Sequence, residues 1–212
     1  MIAASEFAEI IQELNRQPLP TNNYRNKAGS GRSQAFGVVN RRCLPADYSR
    51  LCWTRPYLYK LLLDFAEKYV QIPFTSITVN QGYRAAPHKD KGNVGESFLV
   101  AFGDYEGGEL EIFEGPLKGV HDVKNKPLVT DFSKVLHSVR EFTGNRISLV
   151  FYTAKNASGL PPAKIEYEQG KYVFYRGDEK MMSGLPHPLK GRKKNSQITY
   201  TREEVDTVIE FS

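Results

Sequence analysis

Val79-Asn80-Gln81-Gly82-Tyr83-Arg84-Ala85-Ala86-Pro87-His88-Lys89-Asp90-Lys91-Gly92-Asn93-Val94-Gly95 is the stretch on which the reading of this chain turns. Within it, His88-x-Asp90 sets an imidazole and a carboxylate two residues apart. On a strand or strand end, residues i and i+2 share a face, so both side chains are expected to point the same way. A second histidine, His137, follows 47 positions after Asp90, and Arg146 comes nine later at the head of Ile147-Ser148-Leu149-Val150-Phe151-Tyr152. Two imidazoles and a carboxylate suit Fe(II), and three ligands on one face leave positions open for a co-substrate and O2. An arginine at the head of an apolar strand is costly if buried unpaired, so it asks for an anionic partner. Its planar fork matches a carboxylate, here the far end of a dicarboxylate. By itself H-x-D is as readily a hydrogen-bonded pair; the later histidine and arginine make it a candidate metal centre.

Taken with Gly107-Gly108-Glu109-Leu110, His137 and Gly144-Asn145-Arg146-Ile147-Ser148-Leu149-Val150, this ordered set resembles the 2-oxoglutarate and Fe(II)-dependent dioxygenases over about residues 74 to 153. Within that superfamily it is most similar to the group that oxidises the methyl of 5-methylcytosine or thymine (ten-eleven-translocation and base-J-binding proteins). The resemblance implies a double-stranded β-helix, a jelly-roll barrel with iron at its mouth. It implies His88, Asp90 and His137 as iron ligands, Arg146 as the partner of the 2-oxoglutarate distal carboxylate, and Arg84 and Asn80 as helpers in holding the co-substrate. Asn93 stands five residues after the first histidine, where that group contacts the target base; Lys91-Gly92-Asn93-Val94-Gly95 is also turn chemistry by composition.

Outward from this centre the pattern is β. Phe74–Asn80, Ser97–Phe102, Glu109–Phe113, Leu128–Phe132, Lys134–Val139, Arg146–Thr153, Ile165–Tyr167 and Lys171–Arg176 are short, rich in Val, Ile, Phe and Tyr, and separated by Gly, Asn or Pro. With no helix among them they predict a mainly β sandwich or barrel with flanking α-helices. Gly107-Gly108 is expected to turn a hairpin before Glu109–Phe113. His121 and His187 sit in loop-like contexts and read as surface residues, although His121-Asp122 is a rival ligand pair. Arg140, three after His137, is a rival for the arginine role. Tyr83 and Tyr152 are candidate hydrogen-bond donors in the site.

Toward the N-terminus, Ser5 can cap a helix whose stripe is Phe7, Ile10, Ile11 and Leu14, ended by Pro18 and Pro20. Thr21 to Gln34 reads as a loop, with Gly29-Ser30-Gly31 as its most mobile part, and Phe36–Asn40 as a short strand. A second helix starts at Pro56, runs to about Val70 and buries Leu58, Leu61, Leu62, Phe65, Ala66 and Tyr69. Both helices read as buttresses.

The 212 residues (24.0 kDa) fit a single domain: helices and a basic loop over 1–72, a β-barrel core over 73–180 and a basic extension over 181–212. The formal charge is +5. Its distribution says more, because Arg16 to Pro56 holds eight basic residues (Arg16, Arg25, Lys27, Arg32, Arg41, Arg42, Arg50, Arg55) against the single acid Asp47. That segment suits a phosphate backbone, with Arg32, Arg41 and Arg42 as candidate contacts; a solvated loop face is the plainer alternative. Lys190-x-Arg192-Lys193-Lys194 reads as an exposed basic loop. Cys43 and Cys52 lack C-x-x-C spacing and read as small, partly buried side chains. No run approaches the roughly 20 apolar residues of a membrane span. A soluble, intracellular monomer is expected, in a nuclear, cytoplasmic or viral setting.

Three functions follow. The leading one is a dioxygenase using Fe(II), 2-oxoglutarate and O2, with ascorbate as accompanying reductant, that hydroxylates a nucleobase methyl in DNA, or less favourably RNA. The second is a protein side-chain hydroxylase of the prolyl type with the same iron site. The third, a binding barrel whose triad is a remnant, is disfavoured because all three ligands and the arginine are present together.

Overall fold

Side-chain alternation along the long strands decides which face of the main sheet meets helices and which encloses the site. The computed structural model describes residues 1–21, 29–41, 44–157, 160, 163–168, 171–176, 179–180 and 200–201. Its helices are α1 (Ala8–Arg16), α2 (Leu51–Thr54) and α3 (Pro56–Tyr69). In chain order the strands are β1 (Gly29–Arg41), β2 (Leu44–Tyr48), β3 (Ser76–Ala85), β4 (Asn93–Phe102), β5 (Tyr105–Gly107), β6 (Leu110–Ile112), β7 (Gly119–His121), β8 (Leu128–Thr130), β9 (His137–Val139), β10 (Phe142–Gly144), β11 (Ile147–Ala154), β12 (Ala163–Glu168), β13 (Lys171–Arg176), β14 (Glu179–Lys180) and β15 (Tyr200–Thr201).

Six strands form an antiparallel sheet in the order β2-β1-β3-β11-β4-β8. On one face Phe36, Val79, Phe98, Val100, Leu149 and Phe151 pack against Phe7, Leu14, Leu58, Leu62 and Phe65 of the helical layer. Phe65 is central to this layer, with ring centroids 5.4 Å from Phe7, 6.4 Å from Phe98 and 5.9 Å from Phe151. Truncating it leaves a cavity that neighbouring rings cannot fill, so Phe65→Ala should cost about 3–5 kcal/mol. Urea unfolding should show this as a lower midpoint at an unchanged m-value. A loss under about 1 kcal/mol would contradict the packing described.

The other face looks across to a small sheet ordered β7-β6-β9, with Leu99, Ala101, Leu110, Ile112, Phe132 and Val135 packed between the two. Two sheets of antiparallel strands closed over an interior make the expected double-stranded β-helix. No helix among the described residues is long and apolar enough to cross a membrane.

Several expectations are corrected. Ser5 is not a cap: it lies inside a 3-10 turn, Ala4–Phe7, whose extended N-terminal residue is Ala3. Gly29 to Gln34 is strand, not loop, and β1 runs far beyond Phe36–Asn40. It pairs with β3 from Gly29↔Ala85 to Gly37↔Ser76. The glycines are what permit this, since a Cβ on Gly29 would lie 2.3 Å from the Arg84 carbonyl oxygen. Gly107-Gly108 does not turn a hairpin. It carries the chain from β5, paired with β10, to β6, paired with β7 and β9. The three-residue strands β5, β7 and β10 are too short to show a periodic pattern.

Candidate metal centre and cavity

His88 and His137 meet through the main chain. Their backbones exchange two hydrogen bonds, His88 N–H to His137 O (2.9 Å) and His137 N–H to His88 O (3.0 Å), forming an isolated bridge beside β9. Asp90 is held by its own N–H, which donates to Phe132 O at 3.0 Å. The expected reason for the pairing, alternation along one strand, therefore gives way to another. Residues 86–92 have left β3, and backbone bonds to 132 and 137 aim the two side chains.

The metal-binding atoms of His88, Asp90 and His137 lie within 4.8 Å of one another. Each imidazole is oriented by a carbonyl, with Nδ1 of His88 2.8 Å from Ala86 O and Nδ1 of His137 3.0 Å from Val135 O. Nδ1 acts as the donor in these pairs, which leaves the Nε2 lone pairs for a cation. Nε2 of His88 lies 3.3 Å from Oδ1 of Asp90, and the Phe132 ring packs 4.7 Å from that of His137. Burial pushes the His137 pKa below its ordinary value, against its bond to Val135 and the charge of Asp90. The ring is therefore neutral at neutral pH, the form that ligates metals.

Arg146 is buried, 2% exposed, immediately before β11. Its Nε donates to Gly108 O at 3.1 Å, and the guanidinium lies 5.6 Å from the Tyr105 ring and 5.7 Å from the Phe142 ring. Nη2 is buried with no hydrogen-bond partner among the described residues. Burial pulls its pKa below the usual guanidinium value, with Tyr105 and Glu109 opposing. Gly108, at φ +72°, makes the room, because a Cβ there would come within 2.8 Å of Arg146 Cδ and Nε.

Arg146 and the three candidate ligands line one cavity of about 420 Å³. Its walls are Thr78 and Asn80 of β3, Ser148, Val150 and Tyr152 of β11, Leu99, Leu110 and Val139, with Asn80 Nδ2 donating to Ser148 Oγ at 3.2 Å. Arg146 to Tyr152 spans six residues of extended chain, roughly 20 Å, so the cavity is long. Its far end opens at Val39, Asn40, Lys91, Gly92 and Asn93, where Asn40 Nδ2 donates to Gly92 O at 3.3 Å. Asn93 turns inward, its N–H donating to Asp90 O (2.9 Å) and its Nδ2 to Asp90 Oδ2 (3.4 Å).

Other residues singled out in the sequence lie elsewhere. Arg84 does not reach this cavity: it pairs with Glu141 at 2.9 Å on the outer surface. Arg140 bonds Glu111 at 3.4 Å on that same outer side, and His121 Nε2 lies 2.7 Å from Leu117 O. Tyr83 and Tyr152 do line the cavity. Arg32, half-buried, lies on the helix-facing side of β1 with Phe36 and Val38. Of the basic segment, Arg16 and Arg55 both pair with Glu13, at 3.0 and 3.3 Å. Burial pushes the Cys52 thiol pKa up to about 12, against the opposing effect of the Gly37 N–H that donates to its Sγ at 3.0 Å. Arg25, Lys27, Arg42, Cys43, His187 and the Lys190–Lys194 cluster lie outside the described residues, and of Arg41 only the backbone ending β1 is described.

Sequence reasoning missed Gly108 as the seat of Arg146, Ser148 beside Asn80, and Asn40 at the rim. The paired glycines were visible, but their use depends on β10 and β11 lying alongside.

The fold is a double-stranded β-helix, and one of its cavities is lined by two histidines and a carboxylate whose metal-binding atoms lie within 4.8 Å of one another and by a buried arginine. No family model matches the sequence, and no curated protein matches it. Among solved structures, NgTET1 in complex with 5mC DNA is similar at TM-score 0.51 and 15% identity, covering 74% of this chain and 69% of that one. A 2OG-Fe(II) oxygenase family oxidoreductase from Burkholderia pseudomallei (TM-score 0.49, 18% identity) covers 70% of this chain and 77% of its own. A Pseudomonas putida prolyl-4-hydroxylase (TM-score 0.45, 14% identity) covers 72% and 86%.

Proposed function

We propose that this protein is an Fe(II)- and 2-oxoglutarate-dependent dioxygenase that hydroxylates the methyl of 5-methylcytosine or thymine in DNA. The carrying observation is one cavity that holds three convergent metal-binding atoms and, along its length, a guanidinium with an unpartnered Nη2. That donor set fits Fe(II), and the orphaned nitrogen fits a carboxylate. Fe(II) held by His88, Asp90 and His137, with 2-oxoglutarate and O2, supplies the oxidising equivalents that insert one oxygen into a C–H bond as succinate and CO2 leave. The protein's part is placement. Arg146 binds the distal carboxylate, the Nδ1 bonds keep both imidazoles aimed inward, and Leu99, Leu110, Phe132, Val139 and Val150 exclude water.

Chemistry at the mouth supports a base as substrate. Tyr152 offers a ring to stack on, Asn93 and Asn40 offer amides to read an edge, and Lys91 adds an exposed cation beside the end of β1 that carries Arg41. A base in a duplex must be flipped out to enter. 5mC DNA is the ligand of NgTET1 in its structure; for this chain the reading rests on its own rim. Arg32, Arg41 and Arg42 were the expected phosphate contacts. Arg32 is set aside by its position on the helix-facing side of β1, which leaves Arg41, where β1 ends, for that role.

The protein side-chain hydroxylase reading is favoured by one observation, the engagement of Arg16 and Arg55 by Glu13, which thins the basic segment. Incubation with Fe(II), ascorbate, O2 and 2-oxoglutarate, followed by mass spectrometry of nucleosides and of peptides, separates the two. A gain of one oxygen on 5-methylcytosine or thymine, with DNA affinity that falls steeply with salt, is expected. Oxygen gained only on peptides, with salt-insensitive DNA binding, would overturn the nucleobase reading.

A further inference from the structure

One residue between the ligands has no part in the function just proposed. Lys89 separates His88 from Asp90 and lines the same cavity, only 34% exposed. An ammonium free to swing there would set a positive charge beside a divalent cation. It is not free: Nζ lies 2.6 Å from Glu114 Oε1, and the same oxygen accepts the Leu136 N–H at 2.7 Å. Glu114 is well placed to hold it. It follows β6, whose Ile112 is the register partner of His137, and Phe113 N–H donates to Leu136 O at 2.9 Å. One carboxylate oxygen thus joins the residue between two candidate ligands to the residue before the third.

We infer that Glu114 is a positioning residue for the metal centre, holding the Lys89 ammonium away from the bound ion and cancelling its charge. The inference rests on the metal reading above. It differs from ordinary bracing in its signature. If Glu114 only stiffened the loop, removing either partner would harm the site equally. If it restrains a charge, its loss matters only while Lys89 carries that charge. An ion pair this close to the surface contributes little to folding, so the variants should fold normally.

The test is titration of the metal-free protein with Co(II), read by its visible absorption, for wild type, Glu114→Gln, Lys89→Met and the double variant. At low ionic strength Glu114→Gln should raise the dissociation constant about fivefold, Lys89→Met should not raise it, and the double variant should return within twofold of wild type. Raising the salt to about 0.5 M should shrink the Glu114→Gln effect, because screening weakens the freed ammonium's repulsion. A change below twofold in Glu114→Gln, or a defect that persists in the double variant, would overturn this inference alone. Equal Co(II) binding by wild type and Asp90→Ala would overturn the metal reading and this inference with it.

Discussion

Asp90→Ala removes one of three metal donors and should abolish 2-oxoglutarate turnover while leaving the fold in place. Asp90 is about a third exposed, and its carboxylate lies against His88 Nε2 and Asn93 Nδ2. Its backbone bond to Phe132 survives the substitution, so the stability cost should stay within about 1 kcal/mol. Metal binding is another matter. Changing groups one step out from a metal typically costs 10–100-fold in affinity. Loss of a ligand should exceed that, with Co(II) or Fe(II) affinity falling more than about 100-fold. Succinate formation and Co(II) titration check this together; turnover at the wild-type rate would remove Asp90 from the centre.

Arg146→Met should produce the opposite pattern, keeping the metal and losing the co-substrate. Its guanidinium is buried with Nη2 unpartnered, a cost borne by the protein without ligand. Methionine fills similar volume between Tyr105 and Phe142 without that cost. Exchanging buried charged groups for apolar ones of like size is often neutral or stabilising. The apo variant should therefore melt no lower than wild type. A charge-assisted arginine–carboxylate pair contributes of the order of 3–4 kcal/mol, so 2-oxoglutarate affinity should fall roughly 100- to 1000-fold. In a thermal-shift assay with Co(II), 2-oxoglutarate should raise the wild-type melting temperature and leave the variant's unmoved. An equal shift in both proteins would assign the carboxylate elsewhere.

The centre was legible in the sequence because its chemistry is carried by residue type and order. Two histidines, an aspartate and a strand-heading arginine constrain each other even at separations of tens of residues. What was not legible was parity. The resemblance placed Arg84 together with Asn80, four and eight residues before His88, as helpers in holding the co-substrate. The strand instead carries one extra residue around Gly82, at φ +60°, between the pairs Ser30↔Arg84 and Arg32↔Gln81. Beyond that bulge the faces exchange, so Tyr83 and Ala85 turn inward and Arg84 turns out to Glu141. Asn80 lies before the bulge and keeps its place. The free charge of the basic segment was overcounted for a different reason: its only acid is Asp47, yet Arg16 and Arg55 pair with Glu13, an acid just outside it that the count left out. The helices α1 and α3 and most longer strands were legible because their periods repeat enough times to be recognised, whereas the four-residue α2 does not complete one.

The bridge between His88 and His137 has a consequence for how the barrel comes apart. It is a seam, two main-chain bonds that stitch the strand leaving the broad sheet to an edge of the narrow one. An ion gripped by both imidazoles would sit across that seam as a rivet. Fraying at this point and release of the ion become a single event, and a loaded protein resists both.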